Sequence, residues 1–221
     1  MQTKCAFLGL GVMGFPMAGH LAKKSGAEVT VYNRTTEKAQ NWRKLHGGMA
    51  APTPKAAADD QDFVFACVGN DDDLRAITLG PDGAFQSMKK GAVFVDHTTA
   101  SADVARELAA EAYKRGLGFI DAPVSGGQAG AENGALTVMC GGDEATYAKA
   151  EPYIMSYARM SKLLGPSGSG QLAKMCNQIA IAGVVQGLSA AIAFGMKSGL
   201  VMEDVIGVIS KGASLSWQME Y

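Results

Sequence analysis

Three glycines near the start of the chain have a spacing that could bind phosphate groups. Residues 9–14 read GLGVMG and directly follow an apolar run at residues 4–8. In such a turn the first glycine permits the bend, the second lets a pyrophosphate approach the backbone, and the third lets the helix pack closely. The alternative is a glycine-rich turn without a ligand. Because the turn lies between a predicted strand and a predicted helix, we favour dinucleotide binding by Gly9, Leu10, Gly11, Val12, Met13 and Gly14.

The end of the second predicted strand indicates which dinucleotide is bound. Asn33, Arg34 and Thr35 follow the strand-like run EVTVY, and the first carboxylate after it is Glu37. NAD enzymes usually carry Asp or Glu here for the ribose 2′-hydroxyl, whereas a guanidinium can bind a 2′-phosphate with two hydrogen bonds. The sequence therefore predicts NADP in preference to NAD, with NAD as the alternative cofactor. In the other interpretation, Arg34 stacks on the adenine or points into solvent.

A second set of residues is suited to binding a carboxylate. Residues 121–127 read DAPVSGG and begin at the end of another predicted strand. Open α/β sheets bind ligands at this edge. Ser125 offers a hydroxyl, and Gly126 and Gly127 can expose consecutive N–H groups that form a concavity for an anion. The alternative is an ordinary Ser-Gly-Gly turn, but the position predicts a small substrate that bears a carboxylate.

A lysine and an asparagine could supply proton transfer and substrate orientation. Lys174 and Asn177 are three residues apart at the start of a long predicted helix, so they share one helix face. A lysine close to a helix N-terminus is unfavourable with the helix dipole, and apolar neighbours add to that effect. Both effects lower the pKa of the amine toward a range useful for general acid–base catalysis. The alternative is an ordinary surface lysine.

These residues need a scaffold that brings strand ends and helix starts together. Predicted strands at 4–8, 28–32, 62–68, 92–95, 118–121 and 136–140 alternate with predicted helices at 13–24, 36–45, 101–114 and 143–155 and one that opens at residues 69–73. This alternation predicts an α/β fold: a Rossmann-type, mostly parallel sheet with helices on both faces. The run GPSGSG at 165–170 indicates a boundary, after which the chain reads as all-helical. We expect a dinucleotide-binding domain at 1–164 and the start of a helical domain at 165–221.

Composition and charge exclude several classes of partner. The formal net charge is −1 and the chain has no basic block, which disfavours nucleic acid. The four cysteines are scattered and the three histidines dispersed, so we expect buried free thiols, a reducing cytoplasmic location and no metal site. The first residues do not resemble a signal peptide. Residues 175–196 are long and apolar, but Asn177, Gln178 and Gln186 interrupt them; we expect a buried helix and no membrane partner.

Four motifs together resemble the β-hydroxyacid dehydrogenase family. They are GLGVMGFPMA at 9–18, DHTTAS at 96–101, DAPVSGG at 121–127 and GSGQLAKMCNQ at 168–178, and they run in family order across nearly the whole chain. The family includes 3-hydroxyisobutyrate dehydrogenases, tartronate semialdehyde reductases and glyoxylate/succinic semialdehyde reductases. The resemblance implies hydride transfer between a nicotinamide and a small β-hydroxyacid or semialdehyde of one of these types.

The resemblance also implies individual roles. Lys174 is the general acid in reduction and the base in oxidation, and Asn177 orients the reacting oxygen or the neighbouring carboxylate. The substrate carboxylate is held by residues 125–127. Thr99 lies by the nicotinamide, and Val68 and Gly69 pass over the cofactor. The family more often has a Leu-Pro pair at the last two positions, so we expect a slightly looser cofactor contact.

The C-terminal part departs from the family and keeps two alternatives open. Relatives continue past the equivalent of Tyr221, so we expect the helical domain to be truncated here. One alternative is an imine reductase-like enzyme, a class that generally lacks the lysine; the other is a non-catalytic dinucleotide-binding scaffold. The family also implies a homodimer or homotetramer. Small residues on the long helix would allow close approach of a second helix, namely Gly183, Gly187, Ala190 and Ala191.

Overall fold

The structure is a computed structural model that describes residues 2–219. Its first part alternates strands and helices: β1 (Lys4–Leu8), α1 (Gly14–Lys24), β2 (Glu28–Tyr32), α2 (Thr36–His46), β3 (Met49–Ala50), α3 (Pro54–Ala58), β4 (Phe63–Ala66), α4 (Asp71–Leu79), β5 (Val93–Asp96), α5 (Ala102–Lys114) and β6 (Gly118–Asp121). There follow β7 (Val124–Ser125), α6 (Gly127–Glu132), β8 (Leu136–Cys140), α7 (Glu144–Ile154), β9 (Ala158–Leu163), α8 (Ser169–Lys197) and α9 (Met202–Ile209). Short 3-10 turns occupy Ala84–Gln86 and Trp217–Met219.

The main sheet has the strand order of a dinucleotide-binding fold. Its six strands are all parallel and run β3-β2-β1-β4-β5-β6. The order reverses between β1 and β4, and in such sheets ligands bind at the carboxyl edge beside this reversal. The predicted Rossmann-type fold is confirmed.

A second, three-stranded sheet was not predicted. In it β8 pairs antiparallel with β7 and parallel with β9. Strand β7 has only two residues, too few for a periodic pattern, and most side chains of β9 are exposed or half-buried, so neither shows the apolar run of a buried strand. The helices α3 and α6 were not predicted either, because they are too short to show a helical period.

Two apolar layers hold the main sheet between helices. Alternate residues of each strand enter opposite layers, as Phe7 and Leu8 of β1 do. Every residue of β4 and β5 is buried, as a parallel sheet covered on both faces requires. The predicted Ser101 cap of α5 is confirmed, since its hydroxyl accepts from the N–H of Val104 at 3.0 Å.

The chain divides into two compact units. One extends to Lys174 and contains both sheets, and the other begins at Met175 and contains the rest of α8 and α9. Helix α8 is long and apolar enough to cross a membrane by length and composition, which alone is weak evidence for such a span. Of its most apolar 18-residue window only 6% is buried. The prediction of a buried helix is therefore wrong for the described chain, because α9, with 8 residues, is too short to cover a helix of 29.

All four cysteines are free, but they are not all buried. Cys5 and Cys140 are buried and Cys67 is half-buried, whereas Cys176 is exposed on α8. The expectation of four buried thiols is confirmed at Cys5 and Cys140, holds in part at Cys67, and is wrong at Cys176, because the surrounding part of α8 is itself exposed.

Candidate active site

A cleft of about 640 Å³ lies at the carboxyl edge of the main sheet. The predicted cofactor residues that line it are Gly9, Gly11, Val12, Met13, Gly14, Asn33, Arg34, Thr35, Val68 and Gly69. Two other predicted cofactor residues, Leu10 and Thr99, lie outside the lining. Leu10 is buried, with 2% of its surface exposed, while Thr99 is exposed on the loop after β5.

An added Cβ would have a different steric effect at each of the three glycines in the turn after β1. Gly9 has φ +95°, and a Cβ there would overlap the carbonyl oxygen of Cys67. A Cβ on Gly14 would overlap the carbonyl oxygen of Gly9. A Cβ on Gly11 would have no heavy atom of the described residues within 4 Å. Gly9 and Gly14 therefore serve the fold, and Gly11 leaves open space in the cleft.

The N–H groups of this turn fit a bound pyrophosphate. Two of them are already used, because Gly9 donates to the carbonyl oxygen of Tyr32 at 2.8 Å and Leu10 donates to Asn33 Oδ1 at 2.9 Å. Those of Gly11, Val12 and Met13 find no acceptor within residues 2–219. In the same part of the chain, α1 begins with no side-chain cap and no acidic residue in its first turn. Such a helix end is electropositive and attracts phosphate.

The loop after β2 places charged groups at the mouth of the cleft. Asn33 connects the two loops, since its Nδ2 also donates to the carbonyl oxygen of Thr35 at 3.0 Å. The side chain of Arg34 is 85% exposed, and its Nη1 lies 3.2 Å from Asp73 Oδ1 on α4. Lys38 lines the same cleft one turn into α2. Lys38 and Asp73 were not predicted; helical spacing from Thr35 could have indicated the lysine.

The loops that follow β4 and β5 are hydrogen-bonded to each other. The N–H of Val68 donates to Thr98 Oγ1 at 3.1 Å, and the N–H of Thr98 donates to Asp96 Oδ1 at 2.9 Å. Further out, Ser101 donates through its N–H and its hydroxyl to the carboxylate of Asp71, at 2.9 and 2.5 Å. These bonds fix the backbone around Thr99.

Two buried titratable groups, Asp96 and His97, lie at the start of the loop after β5. Burial raises the pKa of Asp96 to about 7, and Asp96 Oδ2 has no hydrogen-bond partner in the described part of the chain. Burial also lowers the pKa of His97 to about 4. His97 Nδ1 lies 2.7 Å from the carbonyl oxygen of Ala122 and must donate to it, so Nε2 accepts from the Tyr157 hydroxyl at 2.8 Å. The neutral imidazole therefore links the residue after β6 to the residue before β9.

The predicted carboxylate site lies at the start of α6. Ser125 ends β7 and is half-buried, and Gly126 and Gly127 have φ of +130° and +60°. Both glycines are exposed, and a Cβ on Gly127 would meet no described heavy atom within 4 Å. Backbone of this kind can direct successive N–H groups to one point, as the prediction requires.

Lys174 lies in the first unit on α8, outside the lining of the dinucleotide cleft. It is half-buried, and desolvation lowers the pKa of its amine. Among residues 2–219 its ammonium has no salt-bridge or hydrogen-bond partner. Asn177 lies three residues further along α8, in the second unit, and its amide donates to Gln178 Oε1 at 3.0 Å. A desolvated amine without a carboxylate partner is suited to proton transfer.

The start of α8 is held by two residues to which the sequence assigned no role. Asp121, at the end of β6, accepts from the N–H of Gly168 at 2.7 Å and from the N–H of Gln171 at 3.0 Å. Gln171 in turn bonds to the loop after β5. The partners of these side chains are 47 to 73 residues away along the chain, so local spacing carries no signal of them.

Comparison with known proteins agrees with this geometry. Residues 4–165 match the family model described as the NAD binding domain of 6-phosphogluconate dehydrogenase, and residues 168–221 match that of the NAD-binding region of NADP-dependent 3-hydroxyisobutyrate dehydrogenase. An uncharacterized oxidoreductase of Shewanella frigidimarina is 62% identical over 219 residues, which are 99% of this chain and 75% of that protein. An NAD-dependent L-serine dehydrogenase of Pseudomonas aeruginosa is 34% identical over 99% of this chain and 73% of that protein.

A solved structure shows the same architecture. It is the 3-hydroxyisobutyrate dehydrogenase of Mycobacterium tuberculosis with L-serine, which superposes with a TM-score of 0.87 at 32% identity over 98% of this chain and 73% of that one. The fold and the cleft define a Rossmann-type oxidoreductase. The chain belongs to the β-hydroxyacid dehydrogenase family and is an NAD(P)-dependent dehydrogenase that acts on CH–OH groups. The predicted family and enzyme class are confirmed.

Proposed function

We propose that this protein interconverts a small β-hydroxyacid and its semialdehyde with NADP(H). The substrates are of the 3-hydroxyisobutyrate, tartronate semialdehyde, succinic semialdehyde or glyoxylate type. The observation that carries the proposal is the half-buried amine of Lys174, whose pKa is lowered and whose helix is bonded to the strand ends at the carboxyl edge of the sheet. An imine reductase or a scaffold would have no use for a desolvated lysine at this position.

The residues of the chain would divide the chemistry among them. When bound, the nicotinamide supplies or accepts the hydride. The Lys174 ammonium donates a proton to the carbonyl oxygen in reduction, and the neutral amine removes it in oxidation. The Ser125 hydroxyl and the N–H groups of Gly126 and Gly127 bind the carboxylate. Asn177 orients the substrate.

The preference for NADP is supported by the charges at the mouth of the cleft. Arg34 and Lys38 line it together, and the short loop after β2 offers no carboxylate to a ribose 2′-hydroxyl. Arg34 would bind the 2′-phosphate with two hydrogen bonds and Lys38 would add a second positive charge. The Michaelis constants for NADPH and NADH test this, and a clear preference for NADH would contradict it.

The decisive experiment removes the amine. In Lys174→Ala, reduction of a panel of small semialdehydes and glyoxylate should be lost while the dissociation constant for NADPH stays close to that of the unmodified protein. Lys149→Ala is the matched control, because this lysine is exposed on α7. A near-normal rate for Lys174→Ala would refute the proton-transfer role. Tight NADPH binding without turnover of any substrate by the unmodified protein would favour the scaffold.

The location and assembly that we propose are a cytoplasmic homodimer or homotetramer without a membrane or nucleic-acid partner. The free cysteines support a reducing compartment. Exposed apolar side chains on α8 support association with a second copy, because large apolar surfaces are seldom left in water.

A further inference from the structure

A buried glutamine joins the loop that carries Thr99 to the helix that carries Lys174. Gln171 is 1% exposed. Its Nε2 donates to the carbonyl oxygen of Thr98 at 2.7 Å, and its Oε1 accepts from the N–H of Ala100 at 3.0 Å. The side-chain amide therefore makes one bond on each side of Thr99, as a neighbouring strand would do.

The two bonds fix the direction in which Thr99 points. Thr98 and Ala100 are both buried, whereas Thr99 between them is exposed. A residue whose neighbours are both held by one planar amide has little freedom to turn. The side chain that the family resemblance places beside the nicotinamide is thus presented by Gln171.

The backbone of Gln171 is also fixed, by the side chain at the end of β6. Its N–H donates to Asp121 Oδ2, while Asp121 Oδ1 accepts from Gly168 just before α8. Lys174 is three residues beyond Gln171 and so lies on the same face of α8, one turn further on. Gln171 is therefore hydrogen-bonded to the end of β6 and to the loop after β5, and it lies on the same helix as Lys174.

We propose that Gln171 is a positioning residue, which sets the geometry between the Thr99 loop and Lys174 for hydride and proton transfer. The inference rests on the proposed function. An apolar side chain would fill the same space, but the contact with two backbone groups needs one donor and one acceptor. Only an amide that makes both bonds avoids the cost of burying unsatisfied polar groups.

The test compares two substitutions with a matched control. Gln171→Met keeps the volume and removes both hydrogen bonds, and we expect kcat to fall about 10- to 100-fold, because small misplacements of reacting groups cost that much. The dissociation constant for NADPH should change less than about threefold, since the phosphate-binding turn is not involved. Gln61→Met is the control: Gln61 is also buried, and its Nε2 donates to the carbonyl oxygen of Asp59 before β4, at the opposite edge of the sheet. It should leave kcat unchanged.

A carboxylate at this position gives a readout that a merely structural role would not move. In Gln171→Glu the charged side chain can accept from Ala100 but cannot donate to Thr98. Once protonated, it can do both, so its kcat relative to the unmodified protein should recover as the pH falls. Gln171→Met should show no such recovery. Asp96, Asp121 and Lys174 lie near this position and are titratable as well, so the rate of each variant is taken relative to that of the unmodified protein at the same pH.

The outcomes separate this inference from the proposed function. If the unmodified protein turns over and Gln171→Met keeps its kcat, as Gln61→Met does, the positioning role is overturned and the proposed function stands. Hydrogen exchange at Ala100 N–H gives a test that needs no turnover. It should be faster in Gln171→Met than in the unmodified protein or Gln61→Met, and equal exchange would overturn the proposal.

Discussion

At the scale of single residues, one carboxylate opposes the predicted contact with a 2′-phosphate. Asp73 lies 3.2 Å from the Arg34 guanidinium at the mouth of the cleft, and Arg34 is mostly exposed. An exposed pair of this kind is worth about 1 kcal/mol or less, so it does not prevent Arg34 from binding a phosphate. Asp73 competes for the guanidinium and would also repel the phosphate.

Asp73→Asn should therefore increase the preference for NADP. We expect the KM for NADPH to fall about three- to tenfold, because one competitor and one like charge are removed. The KM for NADH should stay the same. In the background of Arg34→Ala, the effect of Asp73→Asn should be smaller, since only the repulsion remains. Initial rates with both cofactors check the prediction.

The control for this prediction is a neighbouring carboxylate. Asp72 is 97% exposed and pairs with Arg75 on the same helix. Asp72→Asn should leave the ratio of the two Michaelis constants unchanged. Equal changes for NADPH and NADH in Asp73→Asn would show that Asp73 acts on the cleft in general and not on the phosphate.

At this scale, the role of a residue could be predicted from the sequence only where its structural cause lies among its immediate neighbours in the chain. Gly9, Gly11 and Gly14 could be predicted because a turn between a strand and a helix has its own spacing. Gln171 and Asp121 could not be given a role, because their partners come together only when the sheet forms.

At the scale of elements, the turn between β1 and α1 predicts different effects of one added methyl group. Gly9→Ala requires a strained φ and an overlap with Cys67, and should destabilise the protein by about 2–5 kcal/mol. Gly11→Ala places its methyl in open space, so its stability should change by less than about 1 kcal/mol. The methyl would nevertheless obstruct the pyrophosphate, and NADPH binding should weaken roughly 5- to 100-fold.

Urea titration and NADPH fluorescence distinguish the two variants. Gly26→Ala is a useful reference, because Gly26 also has a positive φ, of +71°, but no described heavy atom would lie within 4 Å of its Cβ. It should cost stability without changing the affinity for the dinucleotide. Normal NADPH affinity in Gly11→Ala would contradict the assignment of the cleft.

The loop after β5 should make stability depend on pH. The pKa of Asp96 is raised to about 7 by burial, so the folded state favours the neutral acid. Its contribution to stability is full below about pH 4 and is lost as the pH rises through 7. Asp96→Asn stays neutral and keeps an acceptor for the Thr98 N–H. Its free energy of unfolding should rise relative to the unmodified protein by about 4 kcal/mol between pH 4 and pH 8.

Urea titrations at a series of pH values check this expectation. His97 titrates in both proteins, so its effect cancels in the difference. Thr98→Val is the companion variant, because it removes the hydroxyl that accepts from Val68 and leaves Asp96 in place. Because the Thr98 hydroxyl also favours the charged form of Asp96, its loss should raise the pKa of Asp96 further and make stability depend more steeply on pH. A constant difference between Asp96→Asn and the unmodified protein would show that Asp96 is charged in the folded state across this range.

The elements themselves were predicted where their pattern was long. Strands β1, β2, β6 and β8 have the predicted bounds, α1, α2 and α5 differ by one residue at one end, and α7 differs by one residue at each end. The missed elements are short, as β3 and α3 are, or lie at an exposed edge, as β9 does. Periodicity needs several residues with one face in a core, and these segments do not provide them.

At the scale of the whole molecule, the exposed apolar surface of α8 needs an explanation. Ile179 and Phe194 are 75% and 71% exposed. Glycines and alanines lie between them at spacings that allow close helix contact, as at Gly183 and Gly187. A second copy of the chain would offer the same apolar and small side chains, so a symmetric pair would cover both surfaces at once.

We therefore expect the protein to self-associate through α8. Light scattering coupled to size exclusion should give a dimer or tetramer, and Ile179→Lys or Phe194→Lys should shift it toward the monomer, because burying an unpaired charge costs several kcal/mol. Tyr113→Lys is the control, since this side chain is 84% exposed on α5 in the first unit; it should leave the mass unchanged.

The same helix has the length and hydropathy of a membrane span, so the experiment must separate the two explanations. A helix that inserts into a bilayer should carry the protein with phosphatidylcholine vesicles in flotation, whereas one that pairs with its copy should remain with the soluble fraction. Asn177, Gln178 and Gln186 favour the pair, because polar side chains on a single span would face hydrocarbon without partners. Flotation that Ile179→Lys and Phe194→Lys abolish, together with a monomeric mass in solution, would overturn self-association in favour of a membrane.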